Sequence, residues 1–149
     1  MKTKVYLASP FFNDAELKNV KRTEKILIDK GFDLFSPRKI EVSKEKYSND
    51  IWANKIFEKD REAIKVSDIV VALYYGMYTD TGTAWEIGFA YGVNKEVLVV
   101  CMNEDDDQSL MVINGASDTI LGLDALEQYD FEALLSHRVD KTYISSKQK

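Results

Sequence analysis

Two uninterrupted apolar runs constrain the fold of this chain more than any other feature. One covers Ile69–Tyr74, and the other is Val97-Leu98-Val99-Val100. A strand without polar alternation needs cover on both faces, as in the interior of a parallel sheet. Helical patterns of roughly 10 to 18 residues separate the strands, which is the spacing of βαβ units. The sequence therefore predicts an α/β domain built on a parallel sheet.

The other elements are predicted from changes in hydrophobic period. Strands are expected at residues 5–8, 32–35, 69–74, 96–102 and 119–121, and helices at 14–30, 49–66, 82–92, 109–116 and 124–135. Gly31 and Gly92 are expected to end the first and third helices. Residues 136–149 form a polar tail that is expected to fray, and no linker divides the chain, so residues 1–149 are one domain. The expected architecture is a three-layer flavodoxin-like (Rossmann-like) domain with about five parallel strands in the order 2-1-3-4-5.

Charge and composition narrow the classes of partner. The 149 residues carry a formal charge of -5, and the lysines and arginines are scattered. This pattern argues against a nucleic-acid surface, although not against the binding of one nucleotide. No apolar run reaches the ~20 residues that span a bilayer, and the first residues lead directly into a strand pattern, so no signal peptide, no membrane contact and a cytoplasmic location are expected. The single cysteine, Cys101, fits that location and is expected to be a buried, inert thiol.

Two carboxylates, Asp80 and Glu86, lie six residues apart where the third strand gives way to a helix. Open α/β sheets bind ligands at this kind of junction, and a helix N-terminus stabilises anions. Glu86 lies between Trp85 and Ile87, where an ionised side chain is costly unless it has a function. The structural alternative is a capping box with Thr83 as the N-cap. Two carboxylates in one crevice repel each other, which separates their pKa values and lets one act as a nucleophile and another as an acid.

A third carboxylate, Asp60, falls on the apolar face of the second predicted helix. It is three or four residues from Ile56, Phe57, Ala63 and Ile64, whereas Glu58, Lys59 and Arg61 occupy the outward positions. An aspartate on an inner face is either paired or functional. Tyr6, in the first strand, points away from Val5 and Leu7, so it is either a core tyrosine or a group whose hydroxyl holds a carboxylate in the crevice.

The first strand-to-helix turn contains Ser9, Pro10, Phe11 and Phe12 and has no glycine-rich phosphate cradle. The two phenylalanines are core residues or a wall for a flat, apolar-faced ligand such as a base. His137 is the only histidine, so neither a Ser-His-Asp triad nor a zinc site is expected, and no metal or cofactor is predicted. The chemistry therefore falls to carboxylates, which favours attack at an acetal-like carbon.

These residues resemble the nucleoside 2-deoxyribosyltransferases. The resemblance rests on Tyr6-Leu7-Ala8-Ser9-Pro10-Phe11-Phe12, on the helix of Asp60 and on Asp80-x-Gly82-x-x-x-Glu86-x-Gly88. It implies a cytoplasmic homo-oligomer that exchanges the base of 2′-deoxyribonucleosides, with free purine and pyrimidine bases as the other substrates. It also implies Glu86 as the nucleophile, Asp60 as the carboxylate that handles the base proton, Tyr6 as the residue that orients Glu86, and Asp80 as the ligand of the sugar 5′-hydroxyl. Glu41 falls near a base-contacting glutamine of the family, and Ser9, Phe11, Phe12 and Gly82 are expected to line the substrate site.

One departure from the family pattern keeps two alternatives open. The transferases lend an Asn-Leu-Met element to the neighbouring subunit's site, and here the element reads Ser109-Leu110-Met111. The serine resembles the related 2′-deoxynucleoside 5′-monophosphate N-glycosidases, where it contacts phosphate, whereas Asp80 beside a phosphate would be repulsive. Gly82-Thr83-x-x-Glu86 is also similar to phosphoribohydrolase-type proteins, so a non-catalytic nucleoside-binding module is a further alternative.

Overall fold

A single parallel sheet organises the computed structural model, which describes residues 1–78, 80–136, 143 and 147–149. The strands are β1 (Lys4–Ala8), β2 (Asp33–Phe35), β3 (Ile69–Tyr74), β4 (Glu96–Cys101) and β5 (Asp118–Leu121). Their spatial order is β2-β1-β3-β4-β5, and every pairing is parallel. The predicted fold class and strand order are therefore confirmed.

The helices are α1 (Asp14–Asp29), α2 (Asn49–Val66), α3 (Thr81–Gly92), α4 (Leu110–Gly115), α5 (Gly122–Glu127) and α6 (Phe131–Leu135). A 3-10 turn (Pro37–Lys39) follows β2. Side chains from α1, α5 and α6 cover one face of the sheet, and side chains from α2, α3 and α4 cover the other. β3 is buried at every position, as its unbroken apolar sequence requires.

Strand alternation decides which side chains of β1 meet which helices. Val5 and Leu7 join the core beneath α1, whereas Tyr6 and Ala8 join the core beneath α2 and α3. Because the carboxylates of interest lie on α2 and at the start of α3, this alternation puts Tyr6 on their side of the sheet.

Two predictions of local structure were wrong. The helix expected at 124–135 is two helices, because the side chain of Asp130 caps α6 by accepting a hydrogen bond from Ala133 N at 3.2 Å. Residues 147–149 do not fray, because they form backbone hydrogen bonds with Gln108 and Leu110. Gly92, in contrast, is the last residue of α3 as predicted, and the left-handed residue that follows the helix is Asn94, with φ 62°.

Other predictions were right or lie outside the described residues. Gly31 follows α1 with φ 89°, the left-handed conformation that favours glycine. Cys101 is fully buried, and burial raises the pKa of its thiol to about 11, as expected for an inert cysteine. His137 lies outside the described residues. In the part of the chain that is described, no helix has the length and apolarity needed to cross a membrane.

Candidate active site

Tyr6 and Glu86 form the centre of the site. Tyr6 is completely buried in β1, and its hydroxyl donates a hydrogen bond to Oε2 of Glu86, one turn into α3. Phe35 of β2 stacks on the Tyr6 ring, with a centroid distance of 5.5 Å and an interplanar angle of 12°. Packing on the ring thus holds the hydroxyl beside the carboxylate. The sequence left Tyr6 open between a core tyrosine and a partner of a crevice carboxylate, and in the structure the buried ring belongs to the core while the hydroxyl contacts Glu86.

Asp80 organises the first turn of α3. It is the N-cap residue, and its Oδ1 accepts a hydrogen bond from the backbone N–H of Gly82 at 2.9 Å. Its Oδ2 accepts a hydrogen bond from the Thr83 hydroxyl. The alternative of a capping box with Thr83 as N-cap is therefore wrong: Thr83 lies inside the helix and is buried. Glu86 is left free of any capping role and available for the pairing with Tyr6.

Gly82 lies close to the carboxylate that caps this helix start. A Cβ at position 82 would lie 3.2 Å from Oδ1 of Asp80. A larger residue at this position would therefore require the Asp80 side chain to shift by a few tenths of an ångström.

A cleft of about 480 Å³ between α2 and α3 contains both Asp60 and Glu86. The other residues that line it are Phe57, Arg61, Ile64, Thr81, Gly82 and Trp85. Oδ1 of Asp60 is buried, and among the described residues it has no hydrogen-bond partner. An unpartnered, desolvated oxygen disfavours the ionised carboxylate. The structure therefore brings a hydrogen-bonded carboxyl and an unpartnered one into the same cleft.

Burial raises the pKa of both carboxyl groups. For Glu86, burial is the largest effect and brings the pKa to about 7, with smaller increases from the charges of Asp60 and Asp80 and a decrease from the Tyr6 hydrogen bond. For Asp60, burial alone raises the pKa to about 6. Burial also raises the pKa of Tyr6, so the phenol stays protonated and remains a donor to Glu86. Two carboxyls that titrate near neutrality in one cleft are typical of acid–base and nucleophilic sites.

Four other predicted residues lie outside the lining of this cleft. The Ser9 hydroxyl donates to the carbonyl oxygen of Pro10 at 2.9 Å. Phe11 and Phe12 stack on each other at 6.1 Å and are 41% and 81% exposed, so neither belongs to the core. Glu41 is exposed and lines two neighbouring surface cavities beside α2. Their assignment to the substrate site remains a prediction.

Ser109 and Met111 also lie away from the cleft of their own chain. They line a groove between α3 and α4 together with Tyr91 and Asn114. Met111 is 76% exposed and Tyr91 is 66% exposed, which leaves large apolar side chains in water. Within one chain, neither Ser109 nor Met111 lines the cleft that holds Asp60 and Glu86.

A family model for nucleoside 2-deoxyribosyltransferases matches residues 5–132. The chain belongs to this family. A nucleoside deoxyribosyltransferase from Lactobacillus leichmannii is 24% identical over 142 residues, which is 87% of this chain and 90% of that protein. The predicted enzyme class, a glycosyltransferase, is thereby confirmed.

Solved structures agree with the family assignment. The 2-deoxyribosyltransferase of the psychrotolerant bacterium Bacillus psychrosaccharolyticus superposes with a TM-score of 0.79 at 34% identity, over 95% of this chain and 100% of that chain. A CMP N-glycosidase from Clostridium botulinum superposes with a TM-score of 0.58 at 20% identity, over 85% of this chain and 100% of that chain. At this level of identity the second likeness concerns the fold alone.

The predicted outward position of Arg61 on α2 was wrong. Arg61 is half-buried and lines the cleft, where its Nε has no hydrogen-bond partner within the described part of the chain. Its NH2 group instead pairs with Glu58 at 2.6 Å and Glu62 at 3.2 Å.

Phe57 and Trp85 were not predicted as site residues, although they contact each other edge to face at 5.3 Å in the cleft wall. The available signal was spacing: Phe57 precedes Asp60 by one helical turn, and Trp85 immediately precedes Glu86.

The described residues contain no group of three or more His, Cys, Asp or Glu side chains arranged to hold a metal ion.

Proposed function

We propose that this protein exchanges the base of 2′-deoxyribonucleosides through a covalent deoxyribosyl intermediate on Glu86. The observation that carries the proposal is the presence of two half-buried carboxyls in one cleft, with Tyr6 donating to Glu86 and no described group donating to Oδ1 of Asp60. This asymmetry gives the two carboxyls different chemistry. Two relatives, a nucleoside deoxyribosyltransferase and a 2-deoxyribosyltransferase, support the same reaction.

In the first half of the reaction, a Glu86 oxygen attacks C1′ of the sugar as the bond from C1′ to the base nitrogen breaks. The bond electrons go to the base, and Asp60 donates a proton to it. The products are a glycosyl ester on Glu86, an ionised Asp60 and a neutral free base. In the second half an acceptor base attacks C1′, Glu86 leaves as a carboxylate, and Asp60 takes up the proton of the incoming base. Protons and electrons balance over the full cycle, so no cofactor is consumed.

The proton must lie on Asp60 when attack begins. Burial raises the pKa of both carboxyl groups, so either can hold a proton near neutral pH. A bound base favours the proton on Asp60, because a lone pair on the base accepts a hydrogen bond only from protonated Asp60. The Tyr6 hydroxyl at the same time stabilises the ionised form of Glu86. Substrate binding therefore produces the reactive arrangement, and the pair titrates as one unit.

Asp80 is the proposed ligand of the sugar 5′-hydroxyl. Its carboxylate accepts two hydrogen bonds from the start of α3, and a carboxylate has roughly four acceptor positions, so acceptor capacity remains. A 5′-phosphate beside this carboxylate would be repelled. We therefore propose nucleosides as the substrates in preference to nucleotides. Ser9, Phe11, Phe12 and Glu41 are proposed to contact the base.

We also propose that the active unit is a homo-oligomer in which Ser109 and Met111 complete the site of a neighbouring subunit. Two facts support this: both residues lie outside the cleft of their own chain, and the groove that they line exposes Met111 and Tyr91. Exposed apolar surface of this kind marks protein interfaces. A cytoplasmic location remains a prediction from the sequence.

The second candidate is hydrolysis of the same bond, and Ser109 favours it. The position corresponds to the asparagine of the transferases, and a serine resembles the 5′-monophosphate N-glycosidases. Water would then attack C1′ in the second half of the reaction instead of a base. The first half, with Glu86 and Asp60, is unchanged.

Incubation of the protein with thymidine and adenine separates the candidates. Transfer gives deoxyadenosine and thymine, hydrolysis gives thymine and free deoxyribose, and a binding module gives neither product. Repeating the incubation with thymidine monophosphate tests the preference for nucleosides. We expect exchange with thymidine, at a rate well above hydrolysis.

Glu86→Ala tests the nucleophile. The variant should lose more than about 10³-fold in exchange rate, because it has no group to form the glycosyl ester and the other carboxyl of the cleft, Asp60, is assigned to the base proton. Glu132→Ala, on the opposite face of the sheet, is the matched control and should keep wild-type activity. Mass spectrometry of acid-quenched enzyme should show one added deoxyribosyl group on wild type and none on Glu86→Ala. An Ala variant with most of the wild-type rate would rule out Glu86 as the nucleophile.

A further inference from the structure

The last described residues of the chain pair with a segment beside the site. Residues 147–149, called here the strap, run parallel to Gln108 through Leu110. The backbone N–H of Gln108 donates to Lys147 O at 2.9 Å, that of Lys149 donates to Gln108 O at 2.8 Å, and that of Leu110 donates to Lys149 O at 2.9 Å. The strap thus forms a three-bond ladder with the residues that lead into α4.

Side chains of the strap contact both flanks of that segment. Lys149 pairs with Asp107 at 3.1 Å, and Lys147 Nζ donates to the carbonyl oxygen of Asp105 at 2.7 Å. On the other side, Asn114 of α4 donates to Oε1 of Gln148 at 2.6 Å. The strap therefore connects the acidic loop at residues 103–107 to α4.

The acidic loop in turn braces the turn that leads to Asp80. The backbone N–H of Met77 donates to Asp107 O at 2.9 Å. Gly76 has φ 103°, and a Cβ there would lie 2.9 Å from Cβ of Asp106, so the two loops touch at backbone distance. Asp80 follows four residues after Gly76, at the start of α3. The peptide unit between Asp107 and Gln108 therefore links the strap to the turn before Asp80, because its N–H donates to Lys147 O and its carbonyl oxygen accepts from Met77 N.

We propose that the strap is a positioning element for nucleoside binding, which holds the acidic loop against the Gly76–Met77 turn and so fixes Asp80 and Ser109. The proposal rests on the proposed function, since it assigns these two residues to the substrate site. Because the strap touches no reacting atom, it acts on substrate binding and leaves the chemical step unchanged. Loss of the strap therefore raises KM for the nucleoside and leaves kcat unchanged.

The test compares Lys149→Pro with Lys149→Ala. Proline removes the backbone N–H that donates to Gln108 O, whereas alanine keeps that bond and removes only the ion pair with Asp107. Both variants lose the lysine side chain, so their difference reports the backbone ladder alone. For Lys149→Pro we expect KM for thymidine to rise about five- to tenfold, which corresponds to one lost hydrogen bond, and kcat to change less than about twofold. Lys149→Ala should stay within about twofold of wild type in both constants.

Amide hydrogen exchange gives a readout that needs no turnover. In Lys149→Pro the amides of Met77 and of residues 103–109 should exchange faster, and in Lys149→Ala they should match wild type. Equal KM values and equal exchange for the two variants would overturn the proposal, and so would a fall in kcat without a change in KM. A wild-type enzyme that exchanges no base would refute the proposed function instead, and the amide exchange of the two variants would still decide whether the strap holds the loop.

Discussion

Glu86 is a carboxyl group that the fold removes from water. Its neighbours in the sequence are Trp85 and Ile87, and within the described part of the chain its hydrogen-bond partner is the Tyr6 hydroxyl. Burial raises its pKa to about 7, which means that the folded protein favours the neutral form well above the ordinary range of a glutamate. An ionised nucleophile in this position has little solvation to lose on attack, and this reactivity is obtained at the expense of stability.

Glu86→Gln should change the pH dependence of stability, because it removes the loss of stability that occurs when Glu86 ionises in the folded protein. The folded-state pKa of about 7 lies above the ordinary value of 4.5. The contribution of this group is therefore present in full below pH 4.5 and is lost as the pH rises through 7. Glutamine cannot ionise, so we expect the variant to be about 2 kcal/mol more stable than wild type at pH 8 and nearly equal to it at pH 5.

Urea unfolding at the two pH values measures this difference. Glu132→Gln, at an exposed position on α6, is the matched control and should follow the wild-type pH dependence. If Glu86→Gln were no more stable than wild type at pH 8, ionised Glu86 would not destabilise the folded protein. The Glu86→Gln variant should still lose some stability as the pH rises, because burial raises the pKa of Asp60 to about 6. This loss should be smaller than the loss in wild type.

At the scale of elements, the first turn of α3 combines a structural role with a proposed binding role. Asp80 caps the helix through Gly82 N and the Thr83 hydroxyl, and the same carboxylate is the proposed ligand of the 5′-hydroxyl. The cap also helps to position Glu86 over β1, because Glu86 lies one turn further along the same helix. A change at Asp80 therefore acts on stability and on substrate choice, and the two effects need different variants.

Asp80→Asn and Asp80→Ala separate the two roles. Asparagine is a good N-cap, so Asp80→Asn should keep wild-type stability, whereas Asp80→Ala should lose about 1 kcal/mol. Asparagine also removes the negative charge that repels a phosphate. We expect the ratio of kcat/KM for thymidine monophosphate to kcat/KM for thymidine to rise at least about fivefold in Asp80→Asn.

Chemical denaturation and steady-state kinetics on both nucleosides and monophosphates check these values. Thr3→Ala, remote from α3 at the amino end of β1, is a control that should leave the ratio unchanged. An unchanged ratio in Asp80→Asn would show that Asp80 is a cap and takes no part in selecting nucleosides over nucleotides.

The elements show where sequence reasoning succeeds and where it stops. The bounds of α2 and β3 were predicted to the residue, because a cap, a change of period and an unbroken apolar run mark their ends. The break between α5 and α6 was missed, since apolar residues at helical spacing continue across Tyr129 and the cap by Asp130 is a local competitor. The same competition between two neighbouring caps explains why Thr83 was a plausible N-cap until Asp80 proved to hold the helix start.

Contacts between distant segments were less accessible from sequence. The Tyr6–Glu86 pair spans 80 residues. Strand alternation left Tyr6 open between a core tyrosine and a partner of a crevice carboxylate, and only the family resemblance implied its pairing with Glu86. The position of Arg61 in the cleft depends on how α2 packs against α3, which periodicity does not encode. The pairing of residues 147–149 with Gln108 joins two polar segments that carry no hydrophobic pattern, so no sequence signal marked it.

At the scale of the whole molecule, the exposed apolar residues are distributed unevenly around the site. Phe57, Trp85, Tyr91, Leu110 and Met111 are each between 43% and 76% exposed, and they belong to the three helices that cover the Tyr6 face of the sheet. Such exposure is costly in an isolated subunit. A partner subunit on this face would bury those side chains. Met111 and Ser109 would then lie beside the cleft of the partner subunit.

Mixing of two variants that each have low activity tests this arrangement. Glu86→Ala lacks the nucleophile but keeps Met111, whereas Met111→Ala lacks the side chain proposed for the neighbour's site but keeps Glu86. In a symmetric pair each subunit contributes the same surface to the other, so one of the two sites in a mixed pair is complete. We therefore expect the two variants, each much less active than wild type, to give about half of the wild-type exchange rate in purified mixed pairs.

Co-expression with two different affinity tags yields the mixed species, and light scattering establishes its mass. Ile51→Ala, which truncates another exposed apolar side chain, at the amino end of α2, is the control and should be active without mixing. Mixed pairs no more active than the mean of the two parents would place Met111 outside any neighbouring site. Recovery of activity, in contrast, has no explanation within a single chain, because neither variant subunit contains both groups and only an adjacent subunit can supply the missing one.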